Sequence, residues 1–386
     1  MRILHTSDWH LGKRLVNRER LPEQEQVIEE IARICDDENI QLLLVAGDVF
    51  DTYTPSADAE DLFFRACKRL SKQGRAVLMI SGNHDDGVRL SASAPVLEEL
   101  GVYVVGNARA PITPAKRAGI YPSASGKGYV VFETDEGEKA YVGTLPYPNE
   151  ARFKEEKSDL PYVERMQAWI QEGLQNNEEK LPSILLSHIF VAGGKRAESE
   201  REIDLGGARA LPMEALPKVD YIALGHLHKK QRMGTGHAYY SGSPLQYSFD
   251  ESADKGVKVF DLGVGGVQNL TDIPLTKGKK LLRLEANNVE SATELLLRYT
   301  GALIELKLLL NSPLSSSEAA MLSQHQNLVS LVTEISATEQ MEFESRKGLS
   351  DGALFDAFCQ ASYGAPPKAE LKELFLSTLS GLENEG

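Results

Sequence analysis

Aspartate, histidine and asparagine recur in this 386-residue chain directly after short apolar runs. Asp8 and His10 follow "RILHT", and Asp48 follows "LLLVAG". Asn83, His84 and Asp85 follow "AVLMISG". His188 follows "SILLS", and His226 and His228 follow "DYIALG". Oxygen and imidazole donors without thiolates suit Mn²⁺, Fe or Zn²⁺ and argue against Cu(I) or iron–sulfur chemistry. Asp8, His10, Asp48, Asn83, His188, His226 and His228 make seven candidate ligands, too many for one tetrahedral ion. Two ions sharing a carboxylate fit that number. Such a pair, about 3.5–4 Å apart, can activate a water and clamp a phosphate.

Each signal alone has a bland reading. An aspartate after a strand is commonly a turn or cap residue. Gly-Asn favours a turn, and "GHLH" could be a strand with one imidazole on each face. His5, His237 and His325 lie outside the pattern and read as ordinary histidines, although His5 could line the site. Five strand ends carrying ligand-type residues together are a different matter. In open α/β sheets the carboxyl edge is where sites are built. Gly12, Gly47, Gly82 and Gly225 accompany the motifs, and glycine permits the tight turn that swings a ligand over such an edge.

The elements that must position these residues alternate. "LLLVAG" and "AVLMI" are continuous apolar runs, as expected of strands buried on both faces. Between them lie amphipathic helices: one starting near Pro22, one over Ser56–Lys72 that begins acidic and ends basic, one near Ser91–Leu100 and one over Tyr162–Leu174. This predicts an α/β core with a mixed sheet over 1–262. Residues 263–280, rich in Gly and Lys, read as a linker or loose hairpin. Residues 281–336 read as a small β-α-β-α-β unit. Two short helices over 345–386 carry apolar stripes, Leu354, Phe355 and Phe358 on one and Leu371, Leu374, Phe375, Leu379 and Leu382 on the other. Such stripes fold back on the body or dock onto a partner helix.

Composition narrows the class. The net charge of −14 argues against gripping nucleic acid by bulk charge. Basic residues do gather beside the motifs, at Lys13, Arg14, Arg18, Arg89, Lys229, Lys230 and Arg232, as a local rim for a polyanion or as a plain solvated surface. Cys35, Cys67 and Cys359 sit in apolar helical patterns and read as buried thiols of a reducing compartment. No apolar run reaches the roughly 18 residues of a transmembrane helix, and the start of the chain turns polar too soon for a signal peptide. A cytoplasmic protein is expected, with no membrane partner.

Asp-x-His, "GD", "GNHD", a lone His and Gly-His-x-His together resemble the motif series of the calcineurin-like metallophosphoesterases, over roughly residues 1–260. Within that superfamily "HTSDWHLGK" and "AGDVFDTYTPS" look like the bacterial SbcD branch, relatives of the Mre-type nucleases. The resemblance implies a β-sandwich flanked by helices, a small α+β capping domain and a C-terminal helical tail. It implies one Mn²⁺ on Asp8, His10 and His228, a second on Asn83, His188 and His226, and Asp48 between them. His84 would face the scissile phosphate as proton donor or charge stabiliser. Asp85 would lie behind, fixing a histidine. It further implies exonuclease action on double-stranded DNA, endonuclease action on hairpins and single strands, and roles in recombination, replication and end processing. The implied partners are an SbcC-type ATPase, in a heterotetramer with two copies of each chain, and a second copy of this chain through nuclease-domain helices. Thr52 stands where phosphoprotein phosphatases carry arginine, and Asp85 where they usually carry glutamate. Both disfavour a phosphoprotein substrate. The rival readings are a phosphatase or small-molecule phosphodiesterase of the same superfamily, and a non-catalytic DNA-end tether.

Overall fold

The computed structural model describes residues 1–107, 111–148, 160–200, 210–335, 350–363 and 366–383. It divides into two units. The larger is built on two sheets. Strands β1 (Arg2–Thr6), β2 (Leu42–Val45), β3 (Ala76–Ile80) and β4 (Val102–Val105) run parallel, and β1 continues antiparallel to β12 (Gly256–Gly263) and β13 (Gly266–Pro274). The second sheet has β5 (Ile120–Gly126), β6 (Tyr129–Thr134), β7 (Lys139–Leu145), β8 (Ser183–His188), β9 (Tyr221–Gly225), β10 (Gln231–Met233) and β11 (Ala238–Tyr240), in the order 10-11-9-8-7-6-5.

The apolar runs are continuous because both faces of these strands are covered. In β2, Leu42 and Leu44 point between the sheets, toward Val142 and Ile184 of the second sheet. Leu43 and Val45 point the other way, onto helices α1 (Leu21–Asp37) and α2 (Ala57–Leu70). Helix α5 (Tyr162–Leu174) covers the outer face of the second sheet with Met166 and Ile170. The result is a β-sandwich flanked by helices, as the resemblance to the calcineurin-like metallophosphoesterases implies; the alternation of elements alone suggests one mixed sheet.

Helix α2 follows its chemistry. Ser56 caps it through the Ala59 N–H, acidic Asp58 and Glu60 open it, and Lys68 and Arg69 close it. Its stripe of Leu62, Phe63, Ala66, Cys67 and Leu70 is buried within its own chain. That stripe is therefore not a face for a second copy. The helix expected over Ser91–Leu100 is two: α3 (Gly87–Ala92) and α4 (Ala94–Leu100). Pro95 cannot donate into a continuing helix but suits the first turn of a new one, so Ser93 becomes the break. The stretch read as a linker or loose hairpin carries β13, an edge strand on β12 whose polar sequence hides it.

Strands β14 (Leu281–Ala286), β15 (Leu303–Leu310) and β16 (Leu328–Ile335), with helices α6 (Val289–Arg298) and α7 (Ser316–Ser323), form a three-stranded sheet with its own small core. Ser315 and Glu318 make a reciprocal capping box at α7. Leu281 and Leu303 pack with Leu15, the Leu281 N–H donates to Gln246 Oε1 at 2.9 Å, and Arg18 donates to the Leu328 carbonyl at 3.1 Å.

The second unit holds helices α8 (Asp351–Tyr363) and α9 (Ala369–Glu383). Phe355 and Phe375 stack at 4.0 Å between centroids, and Lys372 pairs with Asp356. Phe358, Leu371 and Leu374 are exposed. Residues 345–349 of the expected tail, and the side chain of Leu382, lie outside the described residues. Among the described residues no helix is long and apolar enough to cross a membrane.

Candidate metal centre

The carboxyl ends of β1, β2, β3, β8 and β9 meet at one edge of the sandwich, so residues far apart in sequence converge. Asp8, His10, Asp48, Asn83, His84, Asp85, His188, His226 and His228 are all buried there, none more than 9% exposed. The pairing of β1 with β2 continues past both strand ends: the Asp8 N–H donates to the Gly47 carbonyl at 3.0 Å and the His10 N–H to the Asp48 carbonyl at 2.9 Å.

The backbone there is strained. Asp8, His10, Asp48 and His226 have φ of 54°, 46°, 50° and 105°, in the left-handed region that side chains avoid. Such residues cost of order 1–3 kcal/mol each and persist where surrounding structure holds them. The glycines serve two purposes. Gly47, at φ 86°, makes a turn. Gly82 and Gly225 are needed for close approach. A Cβ on Gly82 would stand 2.1 Å from Asp48 Oδ1, and one on Gly225 would stand 1.7 Å from the Ala46 carbonyl oxygen. The two sheets touch at that point, which the turn argument alone does not anticipate.

Within this frame the donor atoms face one another. His10 Nε2 and His228 Nε2 are 3.0 Å apart. Asn83 Oδ1 stands 2.9 Å from both His188 Nε2 and His226 Nδ1. Asp48 Oδ2 lies between, 3.5 Å from His10 Nε2 and 3.4 Å from His188 Nε2. Donor atoms of Asp8, His10 and His228 lie within 4.8 Å of one another, as do those of Asp8, Asp48 and His188, and of His10, Asp48 and His84. Asp48 thus belongs to clusters on both sides.

Burial dominates the electrostatics of the centre. Burial, with Asp48 adding to it, pushes Asp8 up to about 6 although His188 and His228 oppose the rise. Burial also lowers His226, to about 3, with His188 adding to the effect. His188 is the exception. Burial opposes its charge, yet Asp48 beside it holds it up at about 9. Asp48 falls well below the carboxylate range although burial opposes that, because His188, His84 and His10 surround it. The donor set is nitrogen and oxygen throughout, with no cysteine in it. These residues fit divalent ions.

Several supporting residues carry no motif. His188 Nδ1 donates to the Ala46 carbonyl at 2.8 Å, turning Nε2 inward. Asp51, three residues after Asp48, places Oδ1 3.2 Å from His10 Nδ1, and its carbonyl accepts from His84 Nδ1 at 2.7 Å. A second carboxylate in "GDVFD" was the available signal. Ser7 donates to Asp8 at 2.5 Å. The histidine partner expected for Asp85 is replaced by main chain. Its oxygens accept the N–H groups of Val49, Phe50 and Gly82 at 3.1, 2.8 and 2.8 Å. It pins the turn after β2 to the turn after β3, and so places Asp48 and Asn83 together. His5 does not line the centre; it is buried between the sheets with Nδ1 3.1 Å from the Tyr221 hydroxyl.

The basic rim is largely matched inside the molecule. Lys13 pairs with Asp51, Arg14 with Glu19, Arg89 with Glu60, Lys229 with Asp250 and Lys230 with Asp254. Arg232 donates to the carbonyls of Gly236 and Thr235. Any attraction for a polyanion there is weaker than a tally of lysines and arginines implies.

Comparison with known proteins follows the same lines. Residues 1–230 match the calcineurin-like phosphoesterase family. The SbcD chain of the SbcCD nuclease of Bacillus subtilis is 36% identical over 404 residues, covering 100% of this chain and 99% of that protein. The SbcD chain of Rhodobacter capsulatus is 33% identical over 77% of this chain and 74% of that protein. A dimetal phosphatase from Danio rerio covers 72% of this chain and 99% of its own at 13% identity, with a TM-score of 0.41.

Proposed function

The chain belongs to the calcineurin-like phosphoesterases and, among them, to the SbcD nucleases, and from that premise we propose that it is a two-metal DNA phosphodiesterase. It is a hydrolase of phosphodiester bonds, and its Asp/His cluster fits divalent metal. The observation that carries the reading is the shared place of Asp48 between two sets of donors. Asp8, His10 and His228 would hold one ion, Asn83, His188 and His226 the other, with Mn²⁺ as the expected metal. When bound, two such ions supply an activated water and neutralise the charge of the phosphate undergoing in-line displacement.

The protein's own groups do the rest. The Asp51 carbonyl can only accept, so it makes His84 Nδ1 the donor and Nε2 the nitrogen whose protonation can change. The His84 main-chain N–H donates to Asp48 Oδ1 at 2.8 Å, which ties its backbone to the centre. His84 then gives a proton to the leaving oxygen or stabilises the charge growing on the phosphate. Asp85 holds the two turns that present Asp48 and His84. The strained backbone keeps the donors in place before substrate arrives.

Exonuclease action on duplex ends and endonuclease action on hairpins and single strands are the expected activities. The partner is an SbcC-type ATPase, with two copies of each chain in the complex, and its coiled-coil base would receive α8 and α9. Exposed Phe358, Leu371 and Leu374 support that docking. A second copy of this chain would meet the outer side of α2, α3 and α4. Phe64 at 45% exposure, Val88 at 79% and Val96 at 68% support this, since the inner stripe of α2 is already occupied. The three-stranded sheet would cap the site.

Turnover on linear duplex DNA and on a small phosphomonoester, both with Mn²⁺, tests the reading. Brisk monoester hydrolysis without DNA cleavage would favour the phosphatase alternative. His84→Gln should keep its metal and lose about 10²–10⁴-fold in cleavage rate. Cleavage at the wild-type rate would leave His84 without its role, and metal that binds without any cleavage by the wild type would leave only a tether.

A further inference from the structure

The ring of His228 is held from behind by a carboxylate that no motif announces. Glu251 lies between β11 and β12 with its side chain fully buried. Its Oε1 accepts the Ser199 hydroxyl at 2.5 Å and stands 3.4 Å from His228 Nδ1, while the Ser199 oxygen is itself 2.6 Å from that nitrogen. Its Oε2 receives Lys255 Nζ and, at 3.2 Å, the Ser243 hydroxyl. Lys255 also donates to the main-chain carbonyl of His228 at 3.1 Å and to Ser243 Oγ at 2.8 Å. One buried ion pair therefore grips His228 by ring and by backbone.

Stability alone does not account for the pair. Desolvating two charges costs several kcal/mol, and well-packed apolar residues of similar volume are often as stable. An apolar pair could not hold an imidazole by hydrogen bonds. The same segment also reaches the histidine opposite. The Tyr247 N–H donates to Glu251 Oε1 at 3.2 Å, and its hydroxyl bonds the Trp9 carbonyl. Its ring lies 5.5 Å from His10 and 5.9 Å from His228. Gln24, which donates to that hydroxyl at 3.2 Å, donates to the His10 carbonyl at 2.7 Å. Residues 243–255 thus bracket the two imidazoles whose Nε2 atoms face each other. The other cluster has a different support: His188 Nδ1 leans on the main-chain carbonyl of Ala46, which no side-chain substitution removes.

We propose that Glu251, seated by Lys255, is a positioning residue for one of the two cation sites only, holding His228 with Nδ1 outward and Nε2 toward Asp8 and His10. This rests on the metal-centre reading above. It makes the two sites unequal: the Asp8–His10–His228 site leans on the Glu251–Lys255 pair through His228, whereas His188 of the other leans on the Ala46 carbonyl.

The test is Mn²⁺ binding by calorimetry on the full chain, wild type beside Glu251→Gln. Wild type should take up two ions. The variant should bind one of them about 10–100-fold more weakly, as loss of a ligand's hydrogen-bond partner does elsewhere, with the other unchanged. The double variant Glu251→Leu/Lys255→Met, which keeps apolar volume without charge, guards against a folding defect. Its metal-free melting temperature should return to or above that of wild type while the same ion stays weak. A merely structural pair would instead give both ions back in the double variant, once the unpaired charge is gone. That result, equal loss at both sites, or two unaltered ions in Glu251→Gln would overturn the proposal alone. A wild type that takes up no ion would overturn the metal-centre reading and this with it.

Discussion

The edge of the sandwich and the C-terminal pair of helices solve opposite problems with the same twenty side chains. At the edge, five strand ends bring nine polar residues into burial, and four of the nine accept left-handed backbone to get there. Main-chain bonds, glycines without room for a methyl group and carboxylates pinned by N–H groups leave little freedom to rearrange. The helical pair has one aromatic stack, one ion pair and a face of exposed Phe358, Leu371 and Leu374. Short helices take most of their stability from packing, so this pair has far less holding it than the edge does.

Four measurements bear on that contrast. The largest effect is expected for Gly225→Ala. Its methyl group would meet the rigid Ala46 carbonyl at 1.7 Å, so a loss of about 3 kcal/mol in urea unfolding is expected, together with loss of metal uptake. An unchanged midpoint would mean the edge yields more easily than its geometry implies. Next is Asp85→Ala, which strips the partner from three buried N–H groups. About 2 kcal/mol should go, with metal affinity, because the two turns separate. Phe355→Ala should cost the helical pair about 1 kcal/mol, read as faster amide exchange over 351–383, with metal uptake intact. Smallest for the body is ending the chain at Ser345. Metal content and the main unfolding transition should stay within about 0.5 kcal/mol, while co-purification with the SbcC-type ATPase is lost. Retained co-purification would place the partner's contact elsewhere.

Much of the edge could be read from residue order. Strands β2 and β3 are apolar without a break, β1, β8 and β9 nearly so, and a ligand-type residue lies at or just past the end of each, so residue order alone placed these side chains along one edge. What escaped was decided by partners distant in sequence. Asp85 looked like a partner for histidine and turned out to bind main chain, because "GNHD" does not say which loop lies across from it. Glu251 and Ser199 are unremarkable in "DESADK" and "AESER"; only folding sets them behind His228. Strand β13 lies on an edge with one face in water, so its polar residues masked its period. The stripe of α2 was legible as a stripe, but a sequence cannot say whether its own sheet or another copy covers it.

The donor atoms clustered at the sandwich edge are oxygen and nitrogen alone. Cys35 and Cys67 sit far inside the helical layer, and burial pushes the thiol of Cys35 up to about 12 and that of Cys67 higher still. A thiol attacks or is oxidised as the thiolate, so neither is a ready nucleophile near neutral pH. Neither Cys35 nor Cys67 therefore offers alkylating agents or peroxide a ready target, and activity should outlast thiol-directed damage that silences enzymes with sulfur at the active site.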